Sequence, residues 1–306
     1  MTGRNPQDAF SSQLGHRYKD VVLQGSARAH LGDAFYFDHY NSPLAGSQNP
    51  PASQFHNKYF VVPRHPSAVF TGREEILEQL RINCLPSKDP VSQRQPRIFV
   101  IHGLGGSGKT QVCLKFMQDH REKFWGVFWV DASSTENLER GFAQIATVCA
   151  LEPDVDVVKR YLSNSTESWM LVLDSADNYL LNISSYLPVG NRGTVLITTR
   201  NPKCEIHATA GTYRLGKMTE NEAVTLILRS TGVNNLADKS IRKNAKQVVS
   251  TLGSLALAIV QAGAVIREGL CKMEEYCTIY SRRRRELLSQ KAVQDTGDYR
   301  HTVYTT

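Results

Sequence analysis

The stretch Ile98-Phe99-Val100-Ile101-His102-Gly103-Leu104-Gly105-Gly106-Ser107-Gly108-Lys109-Thr110 decides the architecture. An apolar, β-branched run ends at a glycine, and the glycines lead into Gly108-Lys109-Thr110, which opens an amphipathic segment. The order G-x-x-x-x-G-K-[ST] thus stands in the context that gives it meaning, between a strand and a helix. Only a backbone without side chains curls tightly enough to aim several N–H groups at one polyphosphate, and the following helix adds its positive N-terminal end. The motif predicts a cradle of Gly103, Gly105, Gly106, Ser107, Gly108, Lys109, Thr110 and Gln111. Lys109 would reach the outer phosphates, and the Thr110 hydroxyl would hold Mg²⁺. The alternative, a glycine-rich turn that binds nothing, sits poorly with the flanking strand and helix patterns.

Working outward, short apolar strands are expected at 126–131, 169–174 and 194–200, alternating with amphipathic helices. That alternation implies an α/β fold, a parallel sheet covered by helices on both faces. Ahead of the loop, Ile76, Leu77, Leu80 and Cys84 make one helical stripe. After it, Ser133-x-x-Glu136 reads as a capping box for a helix carrying Leu138, Phe142, Ile145 and Cys149. Past Leu215 only helices are expected: Thr219 to Ser230 behind a Thr219-x-x-Glu222 box, then about 236–251, 254–268 and 272–289. The layout is therefore a nucleotide-binding domain over 66–215, a small all-α domain over 216–290 and a tail over 291–306. A Pro-, Ser- and Asn-rich linker spans 41–65. Residues 1–40 form a flexible N-terminus, disordered or fibre-forming.

Composition agrees with a globular chain. Of 306 residues, 41% are hydrophobic and 21% charged, enough for a real core in two domains, or in one with appendages. The net charge of +7 is mild; it suits a polyphosphate and does not by itself argue for nucleic acid. Six cysteines show no C-x-x-C pair and read as reduced core residues of an intracellular, cytoplasmic protein. No apolar leader and no window of eighteen apolar residues is found, so neither secretion nor a membrane span is expected. The run Arg282-Arg283-Arg284-Arg285 reads as a solvated helical face, with a nuclear-localisation or phosphate patch as the alternative.

Asp174 ends an apolar strand, where a carboxylate beside the phosphate loop binds Mg²⁺ through water. Asp177 is placed to orient an attacking water. Arg200, closing Thr198-Thr199-Arg200, is placed to contact the terminal phosphate, with a salt-bridged loop arginine as the alternative. Phe70, Gly72 and Arg73 precede the first helix and are expected to close over the adenine.

In this order the motifs resemble the NB-ARC nucleotide-binding switch of STAND NTPases. That class includes plant disease-resistance proteins, apoptosome subunits and fungal NOD-like receptors. The resemblance spans about 66–290 and rests on Phe70-Thr71-Gly72-Arg73-Glu74, the loop 103–110, Val127 to Ser133, Leu171 to Asp177, Thr198 to Arg200, Leu215 to Thr219 and Leu252 to Ala264. The Thr-Thr-Arg element favours NB-ARC over the related NACHT class. The resemblance implies a pocket between the α/β and helical domains, with Leu255 among its contacts. ADP would hold a closed state, and ATP an open, oligomerising one. Two departures stand out. Ala256 occupies the proline position of the family's Leu-Pro-Leu-Ala, which implies weaker ADP retention. Ser175 stands where many relatives carry a second acid, so at most slow hydrolysis is expected. By the same resemblance the chain stops before the winged-helix part and any repeat array, as in a truncated receptor, a fragment or a partner acting in trans.

Within 17–37, which holds Lys19-Asp20-Val21 and Ala27-Arg28-Ala29-His30-Leu31-Gly32-Asp33, Ala27, Ala29 and Leu31 alternate with Arg28, His30 and Gly32 at the period of a half-buried strand. The two stretches resemble the short amyloid motif of the fungal HET-s prion and its relatives, in the single-copy receptor arrangement. That resemblance implies an amyloid-motif-bearing cell-death effector as partner, besides copies of the chain itself, in fungal incompatibility or innate immunity. An ordinary linker hairpin is the alternative. Two other functions stay open, a P-loop ATPase whose turnover is its purpose and an ADP-holding decoy. A peptide of residues 11–37 is expected to form fibres whose diffraction shows the cross-β repeat of about 4.7 Å. A peptide that stays soluble removes the amyloid reading.

Overall fold

The structure, a computed structural model, describes residues 57–86, 95–233 and 238–283 in full and the backbone of 36–37 and 284–289. The chain divides into two compact units, Met1–Ala34 and Phe35–Thr306. The first lies outside the described residues, and so does the amyloid-like motif 17–37 except for the backbone of Tyr36 and Phe37.

In the second unit the elements run β1 (Tyr36–Phe37), β2 (Tyr59–Val62), α1 (Glu74–Cys84), β3 (Arg97–His102), α2 (Lys109–His120), β4 (Gly126–Asp131), α3 (Thr135–Val148), α4 (Val155–Ser163), β5 (Trp169–Asp174), β6 (Gly193–Thr199) and β7 (Gly211–Arg214). Four helices follow, α5 (Glu220–Thr231), α6 (Lys239–Thr251), α7 (Ala256–Arg267) and α8 (Met273–Ser289). The sheet order is β1-β2-β4-β5-β6-β3-β7. β2 to β7 are parallel, and β1 pairs antiparallel on the outer edge of β2.

The period-2 alternation of the strands builds two cores. Val100, Phe128, Val130, Leu171, Leu173 and Val195 pack with residues of α3 and α4 on one face. Phe99, Ile101, Val127, Trp129, Met170 and Val172 pack with residues of α1 and α2 on the other. Both faces are thus dry, which is why these strands read as unbroken apolar runs. A third core joins the helices after Leu215 through residues such as Val224, Ile227, Val248 and Ile259.

Two local expectations change. Tyr59–Val62, inside the stretch read as linker, is a strand, with Phe60 and Val61 in register with Val127 and Phe128 of β4. Four residues are too few for a pattern to declare itself; the open edge of β4 decides their conformation. The cap of α3 is Ser134, not Ser133, with Asn137 N–H donating to the Ser134 hydroxyl at 3.2 Å. β6 lies between β3 and β5, so the strand of Asp174 is two places from the strand that feeds the loop. α4 and β7 were not anticipated. The Thr219–Glu222 capping box is present, with Thr219 N–H donating to Glu222 Oε2 at 2.8 Å.

Gly263 lets α7 lie against α5: a Cβ built there collides with Ser230, 3.1 Å from its carbonyl carbon and 3.2 Å from its Cα. Gly263→Ala is therefore expected to lower the melting temperature, a net cost of about 1–3 kcal/mol from overpacking. Helix propensity alone would favour the alanine by about 1 kcal/mol. A higher melting temperature would show that the two helices separate freely.

Candidate functional site

The C-terminal ends of β4, β5 and β6, the loop after β3 and the start of α2 open on a cleft of about 530 Å³. Met218, Leu226, Leu257 and Val260 line it from the helical domain, and Val69 and Phe70 from the segment before α1. One end is apolar; the other holds the glycine loop, Lys109, Thr110, Asp174, Asp177 and Arg200.

At the polar end the Asp174 carboxylate is the hub. It accepts from Thr110 Oγ1 at 3.0 Å and from Thr198 Oγ1 at 2.6 Å. These two hydroxyls bridge the intervening strand, so Asp174 faces the loop although β5 is not its neighbour. Burial pushes the Asp174 carboxyl up from its ordinary range; hydrogen bonds from Thr198 and Thr110 oppose this, and the charge of Asp131 adds to it. A hydroxyl and a carboxylate converging 3.0 Å apart are hard oxygen donors of the kind that suit Mg²⁺. Lys109, largely buried, donates to the carbonyls of Gly103 at 2.9 Å and Leu104 at 3.1 Å, and burial lowers its pKa. The Ser107 hydroxyl is buried in the loop without a hydrogen-bond partner, a donor that a phosphate oxygen would satisfy. Arg200 is held by Asp177, through Nε at 3.1 Å and through its backbone N–H at 2.6 Å.

Of the residues anticipated from the sequence, Phe70, Arg73, Gly105, Gly106, Ser107, Gly108, Lys109, Thr110, Gln111, Asp174, Asp177 and Arg200 meet in this cleft. Gly72, Gly103 and Leu255 are not among its lining. Gly72 (φ 67°) instead makes room for Glu222, whose carboxylate a Cβ would strike. Gly103 contributes its carbonyl to Lys109. Leu255 precedes α7, packs against the helical core and lies beside Gly106 of the loop, while Ala256 and Leu257 line the cleft.

Two of the anticipated residues also make bonds within the protein. The Arg73 guanidinium donates to Ser107 O and Gly216 O, each at 3.0 Å, and so staples the loop to the inter-domain segment. The Gln111 carboxamide accepts from Ser67 N–H at 2.7 Å and so fastens the segment before α1 onto α2. Sequence reasoning missed Asp131 and Arg64. Asp131 carried the same signal as Asp174, an apolar strand ending in an acid; Arg64 lay in the stretch taken for a linker.

A parallel sheet of this order with a glycine loop, lysine and threonine at the mouth of its cleft is the fold of the P-loop NTPases. Residues 86–237 match the NB-ARC domain family. A nucleotide-binding leucine-rich repeat (NLR)-like protein of the fungus Hyaloscypha variabilis is 30% identical over 282 residues, covering 79% of this chain and 27% of that protein. A Solanum bulbocastanum protein bearing a disease-resistance name, RGA4, is 26% identical over 281 residues, covering 84% and 27%. Among solved structures, a STAND protein with a tetratricopeptide repeat sensor from Pyrococcus horikoshii aligns with a TM-score of 0.43 at 15% identity, over 63% of this chain and 30% of that one. The domain match and the glycine loop together support nucleotide binding in this cleft. The chain spans 27% of the length of these curated relatives. Among the described residues no helix is long and apolar enough to cross a membrane.

Because Asp174 holds its proton more tightly folded than unfolded, its ionisation lowers stability as pH rises through the ordinary carboxylate range. In the nucleotide-free protein Asp174→Asn is therefore expected to melt above wild type at pH 7, the gap closing below about pH 4. Equal melting temperatures at both pH values would show that burial of the carboxylate costs nothing.

Proposed function

We propose that the chain is an ATP/ADP-controlled switch in a cytoplasmic signalling receptor. The observation that carries this reading is the joint between the phosphate loop and the helical domain: Leu257 N–H donates to Gly106 O at 3.0 Å. A loop bonded directly to the first turn of α7 transmits any change in its own shape to that domain. Arg73 adds a second joint, its backbone N–H donating to Glu222 Oε1 at 2.7 Å while its guanidinium holds Ser107 O.

Lys109 and the orphan Ser107 hydroxyl exchange internal positions for phosphate oxygens when nucleotide binds, Lys109 leaving the carbonyls of Gly103 and Leu104. Mg²⁺ held by Thr110 and Asp174 would neutralise phosphate charge. ADP and ATP then favour different settings of the Gly106–Leu257 and Arg73–Glu222 joints, which is a shift between two populations. Ser175 brings no second carboxylate and Asp177 is engaged by Arg200, which supports a switch with slow hydrolysis over an enzyme of rapid turnover.

In the ATP state copies of the chain assemble and gather their 17–37 motifs at high local concentration, templating an amyloid fold on a cell-death effector in fungal incompatibility or immunity. The sequence pattern of that segment supports this output.

The test is Lys109→Ala, which removes the main phosphate charge. Wild type is expected to bind ATP and ADP in calorimetric titration, and to grow in mass by light scattering with ATP alone. The variant is expected to do neither. ATP and ADP affinities unchanged by the substitution would overturn the site, and a wild type that stays monomeric with ATP would overturn the switch.

A further inference from the structure

The cleft holds four cations, and three of them are already occupied. Lys109 is bonded to two loop carbonyls, Arg73 to Ser107 O and Gly216 O, and Arg200 to Asp177. Among the described residues lining the cleft, Arg64 is the one cation with neither a hydrogen bond nor an ion pair, and its side chain is exposed to the cleft.

Its backbone is well anchored. Arg64 follows β2, whose Val61 pairs with Phe128 of β4. It lies three residues past Val61, as Asp131 lies three past Phe128, so both leave the sheet at the same end. Asp131 is in turn the register partner of Asp174. On its far side the segment is fixed by Ser67 N–H donating to Gln111. Pro63 and Pro66 flank it and narrow the conformations of Val62 and His65. Arg64 is thus a free guanidinium on a stiff, doubly anchored strap. It is close enough to Asp174 for its charge to favour that carboxylate's ionised form.

A guanidinium left without a partner at the acidic, phosphate-facing end of a nucleotide cleft has one ligand chemistry to serve, an anionic oxygen. The four cations also approach from different sides. Arg200 and Lys109 come from the end of β6 and the start of α2, whereas Arg64 comes from the β4 side, across Asp174. On the proposed reading of the site as an ATP/ADP switch, we infer that Arg64 is a specificity-determining residue that binds the terminal phosphate of a nucleoside triphosphate and so separates ATP from ADP. The strap that carries it runs on through Val69 and Phe70 at the apolar end and into Arg73. One segment therefore reads both ends of the ligand. When the guanidinium engages the terminal phosphate, the pull on the strap passes through Arg73 to Glu222 and the helical domain.

The test is calorimetric titration of the full chain with AMP-PNP and with ADP, each with Mg²⁺, for wild type, Arg64→Gln and Arg64→Lys. Loss of one charge-assisted contact is expected to weaken AMP-PNP binding about tenfold in Arg64→Gln, with ADP changed by less than about twofold. Arg64→Lys, which keeps the charge without the planar fork, should fall between. AMP-PNP affinity that does not change, or weakens in step with ADP, overturns the inference. So does a fall in the melting temperature of the nucleotide-free variant with an unchanged AMP-PNP to ADP ratio, which would mean that Arg64 merely balances Asp131 and Asp174. A wild type that binds neither nucleotide instead brings down the reading of the site, and this inference with it.

Discussion

A loop built to wrap a polyphosphate has almost no side chains with which to hold its own shape. Everything else in the structure compensates for that. Lys109 folds back onto the carbonyls of Gly103 and Leu104, Arg73 takes the carbonyl of Ser107, and Leu257 donates to Gly106. Each bond comes from a different element, α2, the segment before α1, and α7. The loop is therefore held by the domains it lies between, and at Gly106, with φ 71° and Leu257 Cβ 3.0 Å from where a Cβ would stand, a side chain would strain the loop and crowd α7.

The same dependence explains the three threonines and one aspartate at the mouth of the sheet. Thr110 and Thr198 satisfy the buried carboxylate of Asp174, and Thr199 donates to Ala176 O at 2.6 Å. A buried charge keeps its place only when its hydrogen bonds are made, and here they come from α2 and β6. Because β6 stands between β3 and β5, its two threonines are what connect the carboxylate strand to the loop strand.

The helical domain is more than a cover. Glu222 serves the cap of its own helix through Thr219 and, with its other oxygen, the backbone of Arg73 at the start of α1. A short-range capping box thus doubles as an inter-domain joint, which places the rotation of α5 and the position of the strap under one carboxylate. The apolar end of the cleft is likewise shared, with Phe70 and Val69 on one wall and Met218 and Val260 on the other. A ligand that fills it touches both domains at once.

What the sequence alone determined is local. The strand, glycine loop and helix at 98–120, the apolar strands 126–131 and 169–174, the Thr219–Glu222 cap and the change to helices after Leu215 all follow from periodicity and turn chemistry over a few residues. The phosphate-end residues were legible for the same reason, since the loop and the strand-terminal Asp174 are contiguous signals. Only the tertiary structure decided the rest. It set β6 between β3 and β5, made a strand of Tyr59–Val62 on an open edge, and brought Ala256 and Leu257 to the cleft. It also turned Arg73 into a staple and brought Arg64 and Asp131 to the site. The physical reason is one of range. Backbone propensity and capping act within a turn or two of chain, whereas strand order, edge pairing and the partner of a long cationic side chain depend on residues far along the chain, as Phe60 pairs with Val127 and as Arg73 and Glu222 are 149 apart.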